Sequence, residues 1–364
     1  MATYNIAVLP GDGVGPEVVA ETGKVLDAIQ LVFPDLRLLL KEYPVGAACY
    51  RKTGADLPDA TLDGCREADA ILFGATGLPD VRFADGTEIA PQISLRFILD
   101  LYAGIRPIKR YDGVPPLIAG DPEIDYVVVR ENTEGLYASR NAGVRVRGEV
   151  AVDNMVITRR GTQRIVRSAF ELSRVRNGAP LDGKRRVTCV DKANVLRSMA
   201  FFRRVFDRVG GDYEDVECDY AYVDAFTVHQ LIRPGYYDVV VAENMFGDII
   251  SDLAAATIGG LGLAPSADIG EKHGVFQPSH GTAPDIAGKR IANPIAEILS
   301  ASMMLVWLGE RNDDAVAISA AEAIDRAVAE ALKDPANHTA DLGGTAMTSA
   351  VGDAVAAAVK RLAG

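Results

Sequence analysis

Two spacings of apolar residues alternate along the chain, and the switches between them predict an α/β protein. Short apolar or β-branched runs at 5–9, 36–41, 70–73, 126–129, 186–190 and 237–242 read as strands. Between them the apolar positions return every three or four residues. That period predicts a helix ending near Ile29, another from Ile93 to Tyr102, and a third over 159–178 with Ile165, Ala169 and Leu172 on one face. The chain beyond Ile295 is helical in pattern, broken at Asp334-Pro335 and at Gly343-Gly344. Residues 144–158 behave differently: Val144, Val146, Val150 and Val152 alternate with polar neighbours, which predicts a β-hairpin arm suited to a dimer contact.

The strand at 237–242 leads into Asn244-Met245-Phe246-Gly247-Asp248-Ile249-Ile250-Ser251-Asp252, with a helix expected after Gly247 and Ile249, Leu253 and Ala256 sharing a face. Asp248 and Asp252 are four apart, so both carboxylates point the same way and repel unless a cation lies between them. A solvated acidic face, or Asp248 as a helix cap, is one reading. A hard cation such as magnesium is the other, and the strand–Gly–Asp–helix context favours it. Asp224, after the strand-like Tyr220–Val223, is a third candidate carboxylate. Arg96 interrupts an apolar helix, Arg106 sits in an extended Arg-Pro segment, and Arg130 ends an apolar strand. Three guanidinium groups so placed suggest a carboxylate clamp. Lys192 follows the strand at 186–190; a lysine at a strand end is normally solvated, and it is also where a base with a lowered pKa would be placed. Tyr137 alone reads as a core or interface tyrosine.

Glycines at 11, 13 and 15 form a turn after the first strand, but they lack the GxGxxG spacing of a Rossmann fingerprint and run into Pro16. A tight structural turn is expected there. The net charge of −12 over 364 residues speaks against a nucleic-acid surface. The four cysteines are scattered, consistent with reduced thiols in a cytoplasmic protein. Met1–Tyr4 lead straight into the first strand, so no leader is expected. No apolar run approaches the roughly 20 residues of a membrane span.

Six motifs in fixed order then point to a family: GDGVGPE at 11–17, LRFILDLYAGIRP from Leu95, VVRENTEGLY from Val128, VDKANVL from Val190, NMFGDIISDLAA from Asn244 and HGTAPDIAG from His280. The chain resembles, nearly end to end, the β-decarboxylating dehydrogenases that act on isopropylmalate, isocitrate, homoisocitrate and tartrate or D-malate. The resemblance implies an α/β, two-domain isocitrate/isopropylmalate dehydrogenase-like fold with a large mixed sheet, not a Rossmann fold. Residues 1–100 and 259–364 would form a discontinuous cofactor-side domain. Residues 101–258 would form a substrate and dimerisation domain carrying the arm near 144–158.

By the same resemblance, Arg96, Arg106 and Arg130 would hold the two malate carboxylates, and Asp224, Asp248 and Asp252 would hold Mg²⁺ or Mn²⁺, Asp224 also lying against the substrate. Lys192 would take the hydroxyl proton and Tyr137 would protonate C3 of the enol. Lys192 and Asp224 would come from the second subunit of a homodimer. His280, Gly281, Thr282, Ala283, Asp285 and Asn293 would embrace the adenosine of NAD, since a carboxylate at 285 accepts ribose hydroxyls and repels a 2′-phosphate. One departure stands out. The family commonly has Glu before the Pro-x-His-Gly run, and this chain has Gln277.

The turn before Arg96 is expected to face the substituent on C3 of the malate. Ile89 and Ile93 are apolar there and the turn offers no cation, so a third carboxylate would be desolvated at a cost of several kcal/mol. An alkyl group fits better, which favours 3-isopropylmalate, converted to 4-methyl-2-oxopentanoate, CO₂ and NADH. Isocitrate or homoisocitrate is the alternative, then tartrate or D-malate. A non-catalytic regulatory paralogue is the alternative of another class, and it would be expected to lose the base, the acid or the metal carboxylates.

Overall fold

The computed structural model describes residues 2–140 and 142–362, and the chain divides into two compact units. The first comprises Met1–Leu99, Tyr111–Pro115 and Gly259–Gly364; the second comprises Asp100–Arg110 and Pro116–Ile258. The first opens with β1 (Ala2–Gly11), α1 (Gly15–Val32), β2 (Leu36–Glu42), α2 (Ala47–Thr53), α3 (Asp59–Glu67), β3 (Ala70–Ala75) and α4 (Pro91–Ile98). The second begins with β4 (Ala103–Lys109), β5 (Asp125–Glu131), β6 (Val144–Val146), β7 (Val150–Val152) and α5 (Arg159–Val175). It continues with β8 (Arg186–Asp191), α6 (Arg197–Gly210), β9 (Glu217–Tyr222), α7 (Val223–Ile232), β10 (Val239–Ala242) and α8 (Asn244–Thr257). The chain then returns to the first unit with β11 (Pro265–Ile269), β12 (Gly274–Pro278), α9 (Ile295–Asn312), α10 (Ala315–Leu332) and α11 (Thr348–Leu362).

In the first unit the strand order is β2-β1-β3-β12-β11, parallel apart from the β11/β12 hairpin. In the second it is β4-β5-β10-β8-β9, parallel apart from β4/β5. Both units therefore carry mixed sheet, as expected of the fold. β3 and β10 are buried along their whole length, which is why their sequences read as unbroken apolar runs. α9 is buried on most sides and packs on β11, β12, α1 and α10, so apolar residues encircle it. Among the described residues no helix is long and apolar enough to cross a membrane.

Three local expectations change. α8 begins at Asn244 rather than after Gly247, because Glu243 caps it by accepting the Phe246 N–H at 2.7 Å. Asp248 is consequently inside the helix and is not its cap. The buried face of α8 is also not the predicted one: Gly247, Ile250, Ala254 and Ala255 face inward while Ile249 is exposed, since small residues allow closer packing on β5. α4 ends at Ile98 instead of Tyr102, where Asp100 turns to a positive φ of 49°. The hairpin arm pairs only over β6 and β7, and its four valines are exposed.

Candidate active site

In the second unit the site is built where α8 lies on β5. A Cβ at Gly247 would fall 2.8 Å from both Cβ and Cγ of Arg130, so only glycine lets the helix approach the strand this closely. Arg130, 2% exposed, then reaches along the first turns of α8. Its Nε and Nη2 donate to Asn244 Oδ1 at 3.1 and 2.7 Å, and its Nη1 pairs with Asp248 Oδ1. Tyr137 donates its hydroxyl to Asp248 Oδ2 at 2.8 Å, and its ring lies 5.2 Å from the Arg130 guanidinium. Asn244 closes the cluster by donating to the Glu134 carbonyl at 3.1 Å.

Asp252 stands one helical turn beyond Asp248 on the same face. Desolvation first, and then the negative charge of Asp248, raise its carboxyl above the ordinary value, against the pull of Arg106 and Arg130. Arg106 and Arg130 lie on one face of the β4/β5 pair, because Arg106 is opposite Val128 and Gly104 is opposite Arg130. Two carboxylates in conflict, beside two guanidinium groups, fit a divalent cation together with an acidic substrate.

Lys192 and Asp224 stand apart from this cluster. Lys192 follows β8, Asp224 sits in the first turn of α7, and the two form an ion pair that holds the Asp224 carboxyl below its usual range. The sequence pattern puts Asp224 at a strand end, whereas β9 stops at Tyr222 and the residue belongs to the helix. Among the described residues no group of three or more His, Cys, Asp or Glu side chains gathers as a metal site, so one chain does not bring Asp224 to Asp248 and Asp252.

In the first unit, Arg96 on α4 is 5% exposed and its Nε pairs with Asp268 on β11 at 2.8 Å. Ile93, three residues earlier on the same helix, is half-buried. Ile89 has a different fate from the one expected. It is fully buried in an apolar cluster with Ala47 and Val81, so it is a core residue and does not line a site. Gln92 is tied through its carbonyl, which accepts from Thr76 Oγ1 at 2.6 Å.

The glycine turn after β1 is a structural clasp. The Asp12 carboxylate accepts the N–H groups of Ala47, Ala48 and Gly77 at 2.7, 2.8 and 2.9 Å. A Cβ on Gly13 would lie 2.1 Å from the Thr282 carbonyl, which the Val14 N–H also meets at 2.9 Å. The turn thus braces the 280–285 run. Gly281 and Asp285 are exposed there, Thr282 is buried, and Ala283 adopts a positive φ of 39°. The His280 Nδ1 lies 2.8 Å from the Gly281 carbonyl, its Nε2 is buried without a partner, and burial keeps the ring neutral by lowering its pKa. Asn293 donates to Asp341 at 3.1 Å and accepts from the Ile295 N–H at 3.1 Å. Asn244, Asp12 and Asp268 are the working residues that the motifs alone did not single out.

A profile described as isocitrate/isopropylmalate dehydrogenase matches residues 5–355. A 3-isopropylmalate/3-methylmalate dehydrogenase of Methanocaldococcus jannaschii is 44% identical over 358 residues, covering 98% of this chain and 99% of that one. A 3-isopropylmalate dehydrogenase of Nocardia farcinica is 44% identical over 97% of this chain and 99% of its own length. Among solved structures, an isocitrate dehydrogenase from Methylococcus capsulatus superposes with a TM-score of 0.86 at 36% identity, covering 98% of this chain and 99% of that chain. The chain belongs to the isocitrate/isopropylmalate dehydrogenase family, and is an oxidoreductase that oxidatively decarboxylates a 3-substituted malate.

Proposed function

We propose that the chain converts 3-isopropylmalate, or a close 3-alkylmalate, to the 2-oxo acid and CO₂ with NAD as oxidant, working as a homodimer in the cytoplasm. The observation that carries the substrate is Ile93. It lies one helical turn before Arg96, so an apolar side chain stands beside a guanidinium, and no cation within 89–95 could meet a third carboxylate. Names of relatives support the same choice, because both relatives above are isopropylmalate dehydrogenases.

Each residue then has a task. Arg96, Arg106 and Arg130 bind the two substrate carboxylates, the planar forks matching their oxygens. Asp248 and Asp252 hold the divalent cation, with Asp224 supplied by a second copy. When bound, Mg²⁺ or Mn²⁺ would supply positive charge to the substrate oxygens and NAD would supply the hydride acceptor. Lys192 of the second copy takes the C2 hydroxyl proton. The bond to the carboxyl on C3 breaks to release CO₂, and Tyr137 gives its proton to C3. His280–Asp285 and Asn293 receive the adenosine end, where the exposed Asp285 favours a free ribose over a 2′-phosphate.

The test is NADH formation by the purified protein with Mg²⁺ across 3-isopropylmalate, isocitrate, homoisocitrate, D-malate and tartrate, repeated with NADP. Preference for the alkylmalate with NAD is expected. The similarity to a solved isocitrate dehydrogenase favours isocitrate as the second reading, and preference for that substrate would overturn the role given to Ile93. Equal efficiency with NADP would remove Asp285 as the discriminating residue.

A further inference from the structure

Within the first unit one carboxylate oxygen joins two residues of different standing. Asp268 Oδ2 accepts from Arg96 Nε at 2.8 Å and from Gln277 Nε2 at 2.9 Å. Arg96 is 5%, Asp268 1% and Gln277 6% exposed, so the three meet away from water. A carboxylate buried this deeply needs a charged donor, which Arg96 provides, and Gln277 adds a neutral one. The β11/β12 hairpin sets this arrangement: Ser266 is opposite Gln277 and Asp268 is opposite Val275, so 268 and 277 are diagonal neighbours on one face. A glutamate at 277 would aim a second carboxylate at the first in a poorly screened place. Only one of the two positions can hold the charge comfortably.

We propose that Asp268 is a positioning residue for Arg96, and that acid at 268 with amide at 277 forms a charge-matched pair that fixes the plane of the guanidinium. The inference rests on Arg96 being a substrate arginine, as read above. The departure at Gln277 then has a physical reason, since the negative charge resides on the neighbouring strand. With Nε committed to Asp268, the Nη1 and Nη2 edge is the part of the fork that meets the substrate carboxylate. A planar group held at Nε cannot swing without breaking that bond.

The experiment compares Arg96→Gln, Asp268→Asn, Gln277→Glu and the reversed pair Asp268→Asn/Gln277→Glu in the full-length protein. KM for the best malate, KM for NAD and kcat are measured, with a thermal melt of each variant. Asp268→Asn and Gln277→Glu are each expected to raise the malate KM on the order of ten-fold or more, with much smaller changes in kcat and in the NAD KM. The reversed pair keeps one carboxylate and one amide beside Arg96, so the charge stays matched and most of the loss should be recovered. In it, Arg96 Nε donates to the amide carbonyl introduced at 268 while the carboxylate introduced at 277 carries the charge, and the two contacts no longer share one oxygen as they do at Asp268 Oδ2. Recovery in the double variant is a readout that a merely structural role would not give. If Arg96→Gln raises the malate KM while Asp268→Asn does not, or if the two single effects simply add, the pairing is refuted. If Arg96→Gln itself leaves the malate KM unchanged, the substrate role of Arg96 fails and the proposal goes with it. Should Asp268→Asn not fold, the reversed pair decides alone: a folded double variant with near-wild-type KM supports the pairing, and one without it overturns it.

Discussion

Tyr137 and Asp248 are joined by a hydrogen bond of 2.8 Å in which the phenol is the donor, while Arg130 holds the other carboxylate oxygen. The tyrosine proton is therefore already aimed into the carboxylate cluster before any ligand arrives. Tyr137→Phe keeps the ring beside Arg130 and removes only that proton. If the phenol serves the enol step, the first turnover still produces NADH at close to the normal rate. Steady-state kcat then falls on the order of 100-fold, the usual scale for losing a general acid. Rapid mixing separates the two phases. Equal slowing of both would place Tyr137 before hydride transfer and contradict its assignment.

Gly247 is the position at which the helix and Arg130 compete for space. An alanine there would set its methyl 2.8 Å from the Cβ and Cγ of Arg130, atoms near the root of the side chain that cannot swing away cheaply. Gly247→Ala is expected to lose about 1–3 kcal/mol of stability by overpacking. It should also raise the malate KM by moving Arg130 off Asn244 and Asp248. Chemical denaturation and steady-state kinetics check the two effects separately, and a variant with wild-type values in both would mean the packing relaxes elsewhere.

Lys192 and Asp224 form an ion pair with each other, and the proposed function has them serve a neighbouring copy. Lys192→Ala and Tyr137→Phe homodimers are each predicted to be nearly inactive. Unfolded together and refolded as a mixture, they give heterodimers with one intact site of two. Random pairing should restore about a quarter of wild-type activity. A mixture no more active than its components would show that both residues act within one chain.

The strands and the chemistry are legible in the sequence for different reasons. β3 and β10 stand out because a strand buried on both faces must be continuously apolar. Asp248 and Asp252 stand out because a spacing of four fixes their common direction whatever the tertiary structure. The start of α8 does not, since Gly247 suggests a break where the structure uses glycine for close approach and places the cap at Glu243. Ile89 misleads because an apolar residue in a turn reads the same whether it meets a ligand or Ala47 and Val81. Asp268 carries no local signal at all: its partner Arg96 is 172 residues away in sequence, and only the packing of α4 and the hairpin register join them.

Glu297 is a buried acid that the proposed chemistry does not use. It lies in the first turn of α9, is fully buried, and both its carboxyl oxygens lack a hydrogen-bond partner. Desolvation alone raises its pKa well above the ordinary 4.5, which favours the protonated form. The sign of the pH effect follows. The folded state holds this proton more tightly than the unfolded state, so the stabilisation is complete below about pH 4.5 and is lost as pH rises through the folded-state value. The melting temperature should therefore fall as pH rises above about 4.5, and Glu297→Met should flatten part of that fall. Comparison with wild type isolates this group from Glu131 and Glu243, whose carboxyls burial also raises. Removing the unpartnered carboxyl should also make the methionine variant the more stable at neutral pH by about 1–3 kcal/mol, the scale of an unsatisfied polar group in an apolar interior. Parallel pH profiles for the two proteins would show instead that Glu297 gains or loses no proton on unfolding across this range.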